Sequence, residues 1–293
     1  MASVRRKSRR SRNAIGAAKG LTPTRTRRDR PYPRPRKRFG QHYLEPAWVD
    51  KLVHALAPSS SDTFLEIGPG RGALTTALGP RVSHIVAIEI DRDLARVLPQ
   101  TVPGNVDVVT GDILSVDWGE LLQGQQKPLR VVGNLPYNIS SPILLRLLSE
   151  ADEGKVFSDA TLMLQKEVAE RLVAAPGSSS YGTLALQTGL AADVELLLTL
   201  PPGAFRPAPN VNSALVRLRF RQMTPGADRA AFERIVRGVF LHRRKTLLNA
   251  LRPLASSLGH SAEEAISRAG LDPSQRPQTL TVADVVRLSR AML

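Results

Sequence analysis

Between Thr63 and Gln165 the chain switches repeatedly between short β-branched apolar runs and stretches with a helical period. The runs are Thr63–Ile67, His84–Ile90, Val106–Thr110, Leu129–Val132 and Ala160–Gln165. Helices are expected at Ala73–Leu78, from Asp91 to Leu98, and after Ser140. Apolar runs of this length suit strands buried on both faces, and the helices between them are long enough for parallel crossovers. The alternation therefore predicts an α/β fold with a doubly wound, Rossmann-like parallel sheet. After Met223-Thr224-Pro225-Gly226 the pattern turns wholly helical, at Ala230–Phe240, Arg243–Leu254, Ala262–Ala269 and Val282–Met292. The expected organisation is a sheet domain over residues 39–222 and a small all-helical C-terminal domain over residues 223–293. Residues 1–38 precede both.

Charge separates the tail from the rest. The net charge is +15, yet residues 1–38 hold 15 of the 41 Lys/Arg against a single acid, Asp29. The remaining 255 residues hold 26 Lys/Arg against 25 acids and are nearly neutral. With few apolar residues, several prolines and no periodicity, the tail is expected to be disordered. A basic arm of this kind meets phosphate; an import signal and a misplaced start codon are the other readings. There is no cysteine, hence no thiolate metal site and no cysteine nucleophile. His42, His54, His84, His242 and His260 show no metal-ligand spacing, so a metal is not expected. No apolar run is long enough to span a membrane, and the expected location is the cytoplasm.

Four consecutive strand ends carry polar groups, and in a doubly wound sheet all four face one crevice. Glu66-Ile67-Gly68-Pro69-Gly70-Arg71-Gly72 closes the first strand and opens the first helix, its glycines allowing a tight turn and close backbone approach. Glu89 ends the second strand, where an acid binds ribose hydroxyls. Gly111-Asp112 ends the third, where a carboxylate could accept from an adenine amino group, and Asn134 ends the fourth. NAD and S-adenosylmethionine both fit such a crevice. The glutamate ahead of the glycines favours S-adenosylmethionine, because an acid helps to hold its ammonium and would repel a phosphate.

Asn134-Leu135-Pro136-Tyr137 then supplies what transfer to an exocyclic amine on a planar base requires. The Asn134 side-chain oxygen and the Leu135 backbone carbonyl can both accept from such an amine. The carbonyl is held in an extended direction because it precedes Pro136. Tyr137 offers a face for stacking.

Taken together, FGQHYL, EIGPGRGALT, IEID, GDI, NLPYNIS, FRPAPNVNSA and HRRKTLLNAL resemble the rRNA adenine N6-dimethyltransferase family, most closely its small-subunit branch. The similarity runs from Phe39 to Leu293. It implies a class I methyltransferase sheet with S-adenosylmethionine held by His42, Leu44, Gly68, Glu89, Asp112 and Asn134. It also implies an amine site of Asn134, Leu135, Pro136 and Tyr137, with Phe205 on the other face of a flipped adenine. At position 42 the family often carries Asn; both residues can donate a hydrogen bond. The implied reaction is dimethylation of two adjacent adenosines in the 3′-terminal hairpin loop of small-subunit (16S) rRNA during subunit assembly, by a monomer. Residues 228–252 hold Arg229, Arg234, Arg237, Arg243, Arg244, Lys245 and Arg252 against Asp228 and Glu233, and this end is expected to face RNA phosphate. Three rival readings are a large-subunit dimethyltransferase of the macrolide-resistance type, a non-catalytic assembly or transcription factor, and a DNA adenine methyltransferase. The RRKTLLNAL segment, the intact Glu66, Asp112 and NLPY, and the lack of a target-recognition domain argue against them in turn.

Overall fold

The computed structural model describes residues 32–33, 35–36, 39–151 and 155–292; the tail expected at 1–38 falls outside it except for Tyr32, Pro33, Pro35 and Arg36. Five parallel strands lie where the apolar runs place them: β2 (Thr63–Ile67), β3 (His84–Glu89), β4 (Val106–Thr110), β5 (Leu129–Asn134) and β6 (Phe157–Gln165). Ahead of them, β1 (Tyr43–Leu44) leads into α1 (Pro46–Leu56). Between the strands run α2 (Ala73–Leu78), α3 (Arg92–Val97), α4 (Trp118–Leu121) and α5 (Ser140–Glu150). Beyond β6 come α6 (Lys166–Leu172), α7 (Thr183–Gly189), β7 (Ala192–Leu200), the two-residue β8 (Phe205–Arg206) and β9 (Ser213–Phe220).

The seven-stranded sheet has the order β4-β3-β2-β5-β6-β9-β7, in which β9 runs antiparallel to both of its neighbours. The chain moves outward from β2 to β4, then returns to place β5 on the other side of β2. The crevice at this reversal, beyond the carboxyl ends of β2 and β5, is where such sheets bind ligands. Alternation along β2 explains its burial on both faces. Phe64 packs with Val53, Leu56 and Leu78, while Leu65 and Ile67 join Leu144, Leu147 and Leu148 of α5. Gly133 lies close against the end of β2: a Cβ there would meet the Ile67 carbonyl oxygen at 2.9 Å.

The helical end consists of α8 (Arg229–Phe240), α9 (Leu247–Ser257), α10 (Ala262–Arg268) and α11 (Val282–Ala291). Its core takes in Phe232, Val236, Leu251, Ile266 and Val285, together with Tyr181, Ala185, Leu186 and Leu190 from in and around α7. The described residues from Tyr32 onward form one compact unit. One helix starts later than its periodicity suggests. Thr246 is the N-cap of α9, its hydroxyl accepting from the Asn249 N–H, so Arg243, Arg244 and Lys245 lie in the turn before the helix rather than on it.

Candidate active site

A cleft occupies the reversal point. Its walls include residues 39–44, Glu66, the loop 68–71, Glu89, Asn134 and Met163. The loop owes its shape to its glycines. Gly70 has φ +61, in the left-handed region, and a Cβ there would lie 3.0 Å from the Tyr43 ring. Above Gly68 there is no atom within 4 Å of where a Cβ would stand, so the loop opens onto free space.

Two carboxylates serve this loop differently. Glu89 accepts from the Gly70 N–H at 2.9 Å and from the Asp91 N–H at 2.8 Å. It therefore braces the turn as well as lining the cleft. Burial raises its carboxyl above the ordinary range, and the Asp91 and Gly70 N–H groups draw it partly back. Glu66 is 2% exposed, and its Oε2 has no hydrogen-bond partner among the described residues. Burial pushes its carboxyl up to about 7, while the nearby Thr75 hydroxyl, outside bonding geometry, lowers it and the Glu89 charge raises it. A buried carboxylate oxygen left without a partner is costly. In a cleft wall it is suited to a cationic ligand.

Asn134 is the last residue of β5. Its Nδ2 donates to the His42 carbonyl at 2.7 Å, which fixes the amide and leaves Oδ1 with no protein donor among the described residues. Leu135 is buried, its N–H bound to the Met163 carbonyl at 3.2 Å; its own carbonyl receives no donor among the described residues. Pro136 lines the cleft, and its carbonyl accepts from the Ile139 N–H at 3.1 Å to close the turn into α5. Tyr137 donates to or accepts from Ser213 Oγ at 2.5 Å. Its ring stacks on His42, with centroids 5.7 Å apart and planes 20° from parallel. His42 Nδ1 lies 2.7 Å from the Pro207 carbonyl oxygen, which can only accept, so Nδ1 carries the proton.

Two residues named from the sequence lie elsewhere. Phe205 is fully buried, packed with Leu52, Met163, Leu200, Ala204 and Leu215. Its ring sits behind the cleft wall and presents no face to a base in this conformation. Pairing of β8 with β1, Leu44 opposite Phe205, holds it there. Asp112 follows β4, one strand beyond Glu89; it is not among the residues lining the cleft, and its Oδ1 caps the Leu114 N–H at 2.9 Å. Conversely, Tyr43, Arg71 and Met163 line the cleft without standing out in the sequence. The requirement for glycine at position 70, opposite Tyr43, is the signal that could have found one of them.

Comparison with known proteins decides the family. The model of the ribosomal RNA adenine dimethylase family matches residues 33–292. The chain belongs to that family. It is thus a methyltransferase acting on adenine in ribosomal RNA. Among its relatives is the ribosomal RNA small subunit methyltransferase A of Acinetobacter baylyi, 42% identical over 88% of this chain and 92% of that protein. The protein of the same description from Aromatoleum aromaticum is 43% identical over 87% of this chain and 93% of its own length. A crystal structure of a dimethyladenosine transferase from Plasmodium falciparum superposes with a TM-score of 0.71 at 26% identity, covering 84% of this chain and 96% of that one. The 23S rRNA methyltransferase ErmE, at 24% identity and a TM-score of 0.61 over 85% of this chain and 99% of its own, shares the fold. Among the described residues of this dimethylase there is no cluster of His, Asp and Glu able to hold a metal, and no helix long and apolar enough to cross a membrane.

Proposed function

We propose that this dimethylase transfers methyl groups from S-adenosylmethionine to N6 of two adjacent adenosines in the 3′-terminal hairpin loop of small-subunit rRNA. The observation that carries the reading is the pair of free acceptors at the end of β5, Asn134 Oδ1 and the Leu135 carbonyl, beside a cleft whose wall holds the unpartnered Glu66.

The cleft suits S-adenosylmethionine on its own chemistry. Glu66 would take the ammonium, the open space over Gly68 would admit the chain next to it, and Glu89 would face the ribose hydroxyls. His42, Leu44 and Asn134 line the same cleft. Asp112 would serve only if a bound adenine reached past Glu89. When bound, the cofactor supplies an electrophilic methyl group on a sulfonium.

The chain's own residues supply the alignment. An adenine N6 lone pair is delocalised into the ring and is a poor nucleophile. In the first transfer Asn134 Oδ1 and the Leu135 carbonyl accept both N6 hydrogens and favour a pyramidal nitrogen with its lone pair turned toward the cleft. In the second they share the one that remains, and after each transfer a proton leaves N6 to water. Holding the reacting atoms in line is itself worth several kcal/mol. Tyr137 gives the extruded base a stacking face, and its bond to Ser213 fixes that ring. Extrusion costs a few kcal/mol, which stacking offsets in part. Phe205 would contribute the second face only after leaving its buried position.

The helical portion from residue 223 is assigned to RNA. Arg234, Arg244 and Lys245 are exposed and have no acidic partner among the described residues. Arg243 borders a polar cleft together with Arg171, Ser179 and Tyr181. Incubation of the protein with unmethylated small subunits and labelled S-adenosylmethionine, followed by mapping of dimethyladenosine, tests the assignment. Label on another rRNA, or none, overturns it.

A further inference from the structure

We propose that Tyr32, Pro33 and Arg36, together with residues 39–41, strap the two rims at the ribose end of the cofactor cleft, with Arg36 as the positioning residue. The inference rests on the cofactor reading above.

One rim of the cleft is the glycine loop, the other the turn after β3, and the strap is fastened to both. On the first rim, Arg71 Nη2 donates to the Pro33 carbonyl at 3.1 Å. The Arg71 guanidinium lies 4.3 Å from the Tyr43 ring centroid and 5.9 Å from that of Tyr32. On the second rim, Arg36 Nη1 bonds Asp91 Oδ1 at 2.7 Å and Nη2 bonds Asp93. The Arg36 N–H donates to Gln41 Oε1 at 2.7 Å, and Gln41 Nε2 donates to Asp91 Oδ2 at 3.2 Å. Tyr32 adds a tie to Thr101 Oγ1 at 2.9 Å.

The acid that Arg36 holds is a component of the site. The Asp91 side chain is 0% exposed, and its backbone N–H is one of the two that orient Glu89. Glu89, Asp91 and Asp93 crowd three carboxylates into one turn. Arg36 supplies the guanidinium that neutralises the buried one, and a buried charge without its partner is strongly disfavoured. Residues 39–43, immediately after these anchors, line the cleft. A ligand held between the glycine loop and Glu89 has the strap along its flank, and the two fastenings add to the direct Gly70 N–H to Glu89 bond in keeping the rims in register.

The boundary follows from this geometry. Among the described residues the anchors begin at Tyr32, and the proposal calls on none of residues 1–31, which hold 11 Lys/Arg against Asp29. Calorimetric and stopped-flow measurement of S-adenosylhomocysteine binding separates the two. The full chain and a chain lacking residues 1–31 should bind alike. A chain lacking residues 1–36, and Arg36→Ala in the full chain, should bind about tenfold more weakly and release faster, the size expected for a lost charge-assisted anchor. Arg36→Lys should recover part of the loss. Equal affinity and release in all five proteins overturns the strap while leaving the cofactor reading intact. Failure of the full chain to bind overturns both. Weakened binding that merely follows a lower melting temperature of the ligand-free protein assigns Arg36 a structural role and also overturns the proposal.

Discussion

Asn134 Nδ2 donates to the backbone carbonyl of His42 at 2.7 Å, joining positions 92 residues apart in sequence. A carbonyl can only accept, so this bond decides which way the amide points. The acceptor oxygen is left for a substrate amine, and the segment before α1 orients the catalytic strand end. The ring of the same histidine stacks on Tyr137. His42 thus touches both halves of the proposed amine site.

Asn134→Ala should lower single-turnover methyl transfer to small subunits by roughly two to three orders of magnitude, the scale of losing a preorganised hydrogen bond in an active site. Asn134→Asp should fare no better, because a carboxylate cannot donate to the His42 carbonyl. Affinity for the subunit, measured by filter binding, should be unchanged for both. Near-normal turnover in either variant removes Asn134 from the mechanism.

Phe205 separates packing from recognition. With its ring fully buried, Phe205→Ala should lower unfolding stability by about 3–5 kcal/mol, and Phe205→Leu by much less. Urea titration reads this directly. Unchanged stability with target binding weakened by about 1–3 kcal/mol would instead show that the ring moves out to meet the base.

The parallel strands were legible because each is a short apolar run closed by a polar residue; the inner ones are largely buried on both faces, and the edge strand β4, none of whose residues is buried, still shows its valines. The opposite edge of the sheet was not legible. In β7 several side chains stay exposed, as in Glu195 and Leu196, so no run of uniform character marks it. β1 and β8 have two residues each and exist only as each other's partner. Asn134 and Glu66 could be chosen from sequence because β2 and β5 flank the reversal point, where strand ends meet the crevice. Asp112 was chosen by the same rule, but β4 lies at the sheet edge and Asp112 does not line the cleft. The role of Phe205 could not. Its motif fixes the loop, but whether the ring points to the cleft or to the core depends on Leu52 and Met163, which pack from distant elements. The start of α9 moved for a local reason: Thr246 can cap a helix, and Arg243 cannot.

Glu66 should give stability and cofactor binding opposite pH dependences. Its carboxyl ordinarily ionises near 4.5 and in the fold near 7. Between those values the unfolded chain loses this proton and the folded chain keeps it, so its contribution to stability falls as pH rises through that window. Glu66→Gln should flatten the fall, read as unfolding free energy from pH 4.5 to 8. A cationic ligand group favours the ionised form, so S-adenosylhomocysteine should bind more tightly as pH rises toward 7, releasing a proton below it. Calorimetry in buffers of different ionisation enthalpy should detect that proton in the parent protein and not in the glutamine variant. Equal proton release in both would place the ammonium elsewhere.

The basic segment ahead of Tyr32 should act on RNA through charge alone. Residues 1–31 carry 11 of the chain's 41 Lys/Arg and precede both the family match, which begins at residue 33, and the first described anchor. Neutralising phosphates releases counterions, so the logarithm of affinity falls with the logarithm of salt by roughly 0.7 per single-strand phosphate contacted. Removal of residues 1–31 should weaken binding to small subunits at low salt and flatten that slope. Turnover at saturating substrate should persist, because Arg36, Gln41 and the cleft are all retained. Arg234, Arg244 and Lys245 should sustain a residual, shallower salt dependence, and changing these three to Ala should reduce it further. A salt series with full-length protein, truncated protein and the triple variant checks both parts. Superimposable slopes for the full and truncated chains would show that the tail makes no phosphate contacts, leaving import or translation start as its explanation.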